Sequence, residues 1–261
     1  MKKYSFVFLF LLMSFVSFAQ DVSLYQKRWF VQYGDTMPYR LLLPENYDSL
    51  KAYPLVLFLH GRGESGYDNE KQLIHGSKLF LVDSIRKTYP AIIVFPQCDA
   101  GSYWSNVQAD MAGSKSSNRT FYFVADGEPT KAMKLLLSLF DNLLLRYNIK
   151  KTQVYVMGLS MGGMGTFEIV RRKPGVFAAA IPICGGAHPT TASSLTKTKW
   201  WVFHGGKDNV VLPEFSEKMV EALKKAKAKV KFTLYPNANH NSWDPAFAEP
   251  TLISWLFKQT K

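Results

Sequence analysis

Short apolar runs alternate along this chain with stretches in which apolar residues recur every three or four positions. The runs at 54–59, 91–95, 154–158, 177–183 and 200–203 contain almost no polar residue, and 230–235 alternates. Strands apolar on both faces belong inside a sheet covered on both sides, and such sheets are mostly parallel. Helical spacing fills the gaps. It runs around 77–87, over 129–147 (Met133, Leu136, Leu137, Phe140, Leu143, Leu144), after 160 (Phe167, Ile169, Val170), over 213–228 and near 245–258. Before them, 27–34 and 37–43 alternate about Gly34-Asp35, which predicts an antiparallel hairpin. Residues 99–127 are rich in Ser, Gly, Asn and Asp and read as a long irregular lid or binding loop. The pattern predicts one α/β domain over 20–261, with a mostly parallel central sheet, helices on both faces and an N-terminal antiparallel hairpin.

Composition changes this picture little, and the N-terminus changes it more. The chain has 261 residues, 47% hydrophobic and 20% charged, as a folded globular protein does. Lys2 and Lys3 precede an uncharged apolar stretch that ends at Ser17-Phe18-Ala19. That is the form of a secretory signal peptide, 1–19, cut before Gln20, and it predicts a secreted or periplasmic protein without stable membrane insertion after cleavage; an uncleaved membrane anchor is the rival reading. The formal charge is +12, densest at Lys224, Lys225, Lys227, Lys229 and Lys231. These lie on and just past a helix with an apolar opposite face, so they read as a solvated surface, and no nucleic-acid motif accompanies them. Cys98 and Cys184 follow strands that two others should separate, roughly 14 Å at about 4.8 Å per strand. A disulfide needs Cα atoms within about 7 Å, so two buried free thiols are expected, with no metal-binding pattern around them.

The chemistry is concentrated at 154–163. An apolar run delivers Gly158-Leu159-Ser160-Met161-Gly162 and a helical pattern follows. A serine between glycines, on a sharp strand-to-helix turn, is the nucleophile elbow of a serine hydrolase. A serine hydroxyl needs a base, and the base needs an orienting group. On such a fold these follow in the order serine, acid, histidine. Asp208 follows the run at 200–203, and His240 follows 230–235. His60 and His204 precede glycines at strand ends and are expected to hold their loops. His75 lies early in a polar segment, and His188 precedes the acid. Asp244 opens the last helix, where the helix dipole already accounts for a carboxylate. An oxyanion needs preplaced N–H donors, and the backbones of Met161 and Arg62 are the candidates. Tyr103, Trp104 and Trp243 are candidate substrate contacts, with core packing the alternative. Gly61-Arg62-Gly63-Glu64-Ser65-Gly66 matches a dinucleotide fingerprint, but no convincing helix opens after it.

With these residues the chain resembles the α/β-hydrolase superfamily. More narrowly, it resembles secreted esterases of the feruloyl-esterase and polyhydroxybutyrate-depolymerase-like group, which includes predicted peptidases. The resemblance is carried by Leu43-Pro44-Glu45-Asn46-Tyr47, the run ending at His60-Gly61, and Gly66-Tyr67-Asp68-Asn69. It continues in Phe95-Pro96-Gln97-Cys98 with Trp104, the elbow, Pro182-Ile183-Cys184-Gly185-Gly186, His204-Gly205 with Asp208, and His240 with Trp243. One departure is Asn237-Ala238-Asn239, where similar proteins often carry glycine. The resemblance implies ester hydrolysis through an acyl-enzyme on Ser160, without metal or cofactor. Feruloyl or acetyl esters on plant polysaccharide enter as substrates by analogy. A serine peptidase on the same fold and a non-catalytic binding protein are the rival readings.

Overall fold

The computed structural model describes residues 21–32, 34–110 and 120–261. The expected signal peptide lies outside them. Among the described residues no helix is long and apolar enough to cross a membrane.

Among the described residues ten strands form: β1 Gln26–Gln32, β2 Asp35–Leu42, β3 Tyr53–Leu59, β4 Ile92–Pro96, β5 Val107–Asp110, β6 Thr120–Phe123, β7 Ile149–Leu159, β8 Ala179–Ile183, β9 Lys199–Gly205 and β10 Val230–Tyr235. Eight make one sheet in the order β1-β2-β4-β3-β7-β8-β9-β10. The first two form the expected antiparallel hairpin, and β2 also runs antiparallel to β4. From β4 to β10 every pairing is parallel.

The two-faced apolar runs sort by parity, as the pleat requires. Leu55, Leu57, Val154 and Val156 point into one core, shared with α2 Lys131–Arg146, α3 Met161–Arg172 and α4 Pro213–Lys225. Val56, Phe58, Tyr155 and Met157 point into the other, under α1 Asp83–Thr88, α5 Trp243–Phe247 and α6 Leu252–Lys258. The five lysines from 224 to 231 are exposed, and Lys231 lies over the Trp201 ring.

Three expectations are corrected. The stretch at 77–87 is not one helix: a 3-10 segment, Ser77–Leu81, precedes α1, and Val82 between them is extended. Phe80 and Leu81 are buried against the sheet before Asp83 begins the next turn. The last helix is likewise two, α5 and α6. Pro250 has no N–H and restricts the residue before it, so the chain turns there. Residues 99–127 are not wholly irregular, because β5 and β6 pair as an antiparallel ribbon. On β6, Tyr122 is exposed while Phe121 and Phe123 meet Phe215 of α4 edge to face.

Candidate active site

Ser160 stands between β7 and α3 at φ 54° and ψ −118°. A non-glycine residue held there costs about 1–3 kcal/mol, which the surrounding packing must sustain. Its N–H donates to the Ile183 carbonyl at 2.9 Å, and its own carbonyl accepts from Met164 at 3.0 Å. A β-carbon at Gly158 would overlap the Gly162 carbonyl, and one at Gly162 would overlap the Leu59 carbonyl. The turn therefore closes only with glycine at both positions, and it lifts the Ser160 hydroxyl clear of the sheet.

Asp208 and His240 arrive on the loops after β9 and β10. These loops are packed backbone to backbone: Gly206 N–H donates to Tyr235 O at 2.8 Å and Lys207 N–H to Ala238 O at 2.9 Å. A β-carbon at Gly205 would overlap the Asn239 carbonyl, so the close approach is made by a glycine on the acid's side. The Asn237-Ala238-Asn239 segment turns without one, through Ala238 N–H to Tyr235 O at 3.1 Å. His240 Nδ1 lies 2.8 Å from Asp208 Oδ2, and its Nε2 lies 2.9 Å from Ser160 Oγ. An ionised carboxylate only accepts, so Nδ1 carries the proton and Nε2 is left as the acceptor facing the serine.

Asp208 is buried. Its Oδ1 accepts from the Val210 and Val211 N–H groups at 2.9 and 3.0 Å. Burial alone pushes this carboxyl up. Hydrogen bonds from His204, His240 and Val210, with the His240 charge, outweigh that and hold it well below the usual carboxylate range. Asp208 is therefore ionised wherever a histidine base works. Its contribution to stability is present above the unfolded carboxylate value and is lost as pH falls through the lower folded one. His204 supports it from behind, with Nε2 at 3.2 Å from Asp208 Oδ2 and 2.8 Å from Val211 O. Sequence order had left His204 only a loop-holding role; its link to the acid comes from the four-residue spacing at the end of β9. Asp244 takes a hydrogen bond from Asn241 in the first turn of α5.

Opposite the triad, β3 ends at His60-Gly61. Arg62 and Met161 each open a helical turn, so their N–H groups have no acceptor within it. The His60 ring spans two strand ends: Nδ1 donates to Gly61 O at 2.6 Å, and Nε2 accepts from Cys98 N–H at 2.9 Å. Burial lowers its pKa from 6.5 to about 4, because protonation would charge a buried ring and break the Cys98 bond. A folded value below the unfolded one means protons favour the unfolded chain between them. Stability should therefore fall as pH drops from about 6.5 towards 4, by roughly 3 kcal/mol. Chemical denaturation across that range should show the slope in the wild type and a flatter curve in His60→Gln; equal slopes would contradict this.

The Arg62 side chain does not reach over the serine. It donates to the Ser102 and Ala100 carbonyls and lies 4.5 Å from the Tyr103 ring centre. It clasps the loop after β4 and covers one face of Tyr103. Trp104 is fully buried, and its Nε1 donates to His60 O at 3.2 Å, so this expected contact is a core residue. Trp243 is half-buried, with its ring 5.4 Å from that of His240 and 5.1 Å from that of His75. His75, set aside for its early position, is thus a neighbour of the site. His188 caps a local turn through Thr190. No α-helix opens after Gly66; the next turns are 3-10 segments, against the dinucleotide reading.

Cys98 and Cys184 are free and buried. Burial raises the Cys98 thiol to about 12. Burial, then the Asp208 charge, raises Cys184 further. Donor atoms of Cys184, Asp208 and His240 lie within 4.8 Å of one another. A metal there would require the thiolate that burial opposes and would break the Asp208–His240 bond, so this donor set suits proton handling better.

The sequence profile of the dienelactone hydrolase family matches residues 111–251. Poly(3-hydroxyalkanoate) depolymerase C of Paucimonas lemoignei is 29% identical over 143 residues, which cover 54% of this chain and 30% of that protein. A thermostable esterase of known structure is 32% identical at a TM-score of 0.79, covering 91% of this chain and 63% of its own. A ferulic acid esterase from Anaeromyces mucronatus, solved with ferulic acid, is 15% identical with TM-score 0.64 over 90% of each chain, a likeness of fold. The chain thus spans about a third of the depolymerase and under two thirds of the thermostable esterase.

Proposed function

The chain belongs to the dienelactone hydrolase family of α/β-hydrolases, and from that premise we propose that it is a secreted serine esterase. The observation that carries the reading is the single imidazole bridging Ser160 Oγ and the buried Asp208 carboxylate. Ser160 Oγ attacks the ester carbonyl carbon as its proton passes to His240 Nε2. The tetrahedral oxyanion is met by the N–H groups of Met161 and Arg62, each such donor being worth about 10²–10³ in rate. His240 returns the proton to the leaving alcohol, and the C–O bond breaks to leave an acyl-Ser160. A water activated by the same nitrogen then releases the acid. Asp208 stays ionised throughout and stabilises the imidazolium.

Feruloyl or acetyl esters on polysaccharide are the substrates proposed; the ferulic acid esterase neighbour supports the feruloyl ester, and the depolymerase relative supports ester cleavage only in general. On the α4 side, Phe123 and Phe215 pack over Gly186, and Phe121 meets Phe215 to extend this apolar wall. The Lys2-Lys3 leader supports export. The test is turnover of nitrophenyl acetate and butyrate, methyl ferulate, acetylated xylan and a peptide anilide by residues 20–261. Cleavage of the esters is expected. Cleavage of the anilide alone would make the protein a peptidase, and no cleavage by folded protein would make it a binding protein.

A further inference from the structure

Between the oxyanion loop and the base, five side chains close into a ring. Ser160 Oγ bonds His240; the His240 ring meets the edge of Trp243, and Trp243 meets His75. His75 Nε2 lies 3.8 Å from Glu64 Oε1. The ring closes over Gly61, where a β-carbon would sit 3.0 Å from Glu64 Oε2 and 3.6 Å from Ser160 Cβ. Leu159 Cδ1 would lie nearer still, at 2.8 Å, so Gly61 is needed for close packing here, and the Glu64 carboxylate and the Ser160 side chain flank the same glycine.

Glu64 is unusual in that ring. Its side chain is only 11% exposed, yet among the described residues neither carboxylate oxygen takes a hydrogen bond, and its one close basic side chain is His75. The fold uses its main chain, which accepts from Gln97 at 3.1 Å, and not its carboxylate. The carboxylate oxygens are not sealed from solvent, so they stay available as acceptors beside the serine, and a bound molecule can bring the donor that the protein does not.

We propose that Glu64 is a specificity-determining residue that accepts hydrogen bonds from hydroxyls of a polyhydroxylated leaving alcohol. This rests on the esterase reading. His240 passes its proton to the leaving oxygen, so the alcohol lies on the His240 side, inside the ring. Trp243 and His75 supply flat walls for its C–H faces, the mix of rings and a few polar groups that binds small molecules. An ammonium would satisfy the carboxylate equally, but a chain of formal charge +12 repels cations. The apolar wall of Phe121, Phe123 and Phe215 packs with α4, on the sheet face opposite α5 and Trp243, so acyl and alcohol groups are sorted to opposite sides.

The test compares glyceryl monoacetate with propyl acetate, which share an acyl group and a three-carbon alcohol and differ by two hydroxyls. The wild type should favour the glyceryl ester in kcat/KM. In Glu64→Gln the glyceryl-to-propyl ratio should fall about tenfold, as expected for losing a charged acceptor. Glu64→Asp, which withdraws the charge by one carbon, should fall between. The ratio cancels any general loss from a disturbed loop. A wild type without preference, or a ratio unchanged in both variants while turnover persists, overturns the role of Glu64 alone. Absence of turnover on both esters by folded wild type overturns the esterase reading and this inference with it.

Discussion

Ser160→Ala should abolish ester turnover, lowering kcat by on the order of 10⁵–10⁶, while the protein stays folded. The hydroxyl is the only group at the elbow that the geometry offers as a nucleophile. His240 Nε2 points at it from 2.9 Å, and the nearby Cys184 thiol is held protonated by burial. The backbone contacts that shape the turn, Ser160 N–H to Ile183 O and Met164 N–H to Ser160 O, do not involve the side chain. Melting temperature should therefore shift little in the alanine variant. Ser160→Gly should be equally inactive but more stable, by up to about 1–3 kcal/mol, because glycine occupies positive φ without strain. Stability and activity would then be opposed at one residue. Turnover surviving in a folded alanine variant would place the nucleophile elsewhere.

Asp208→Asn should cost about 10⁴ in kcat through the wrong tautomer. Oδ1 accepts two backbone N–H groups, from Val210 and Val211. An asparagine keeps its carbonyl oxygen there and turns its NH₂ towards His240 Nδ1. That nitrogen must then accept, so Nε2 carries the proton and faces Ser160 Oγ as a donor, unable to act as a base. Binding of the ester is untouched, so KM should change far less than kcat. The measurement is steady-state kinetics at several pH values, since raising pH restores no base in this variant. A loss below tenfold would show that Asp208 does not set the tautomer.

Much of this arrangement is legible in the residues. Runs apolar on both faces fixed the covered parallel sheet, because only buried strands can omit polar positions. The order of Ser160, Asp208 and His240 singled out three side chains that the structure brings into hydrogen-bonding distance. What stayed hidden depends on distant partners. Trp104 lies in a polar segment and looks exposed, yet it is buried because Gly165 of α3 has no β-carbon where its side chain enters. The β5–β6 ribbon is four residues a side, too short for periodicity, and Phe121 and Phe123 pack it on Phe215 of a distant helix. Val82 breaks an apolar pattern that suits a helix throughout, since burial of Phe80 and Leu81 overrides local spacing. Glu64 and His75 come beside the triad through contacts with each other and with Trp243, which no sequence spacing records.

The central claim is that Ser160 is the activated nucleophile of an esterase, and it is tested most directly by covalent capture. Folded wild type, Ser160→Ala and Asp208→Asn would be treated with a fluorophosphonate, and the intact mass and the modified peptide read by mass spectrometry. The account predicts one adduct per wild-type chain, on Ser160, none on Ser160→Ala, and much slower labelling of Asp208→Asn. An adduct on another residue, or none on folded wild type, would contradict it.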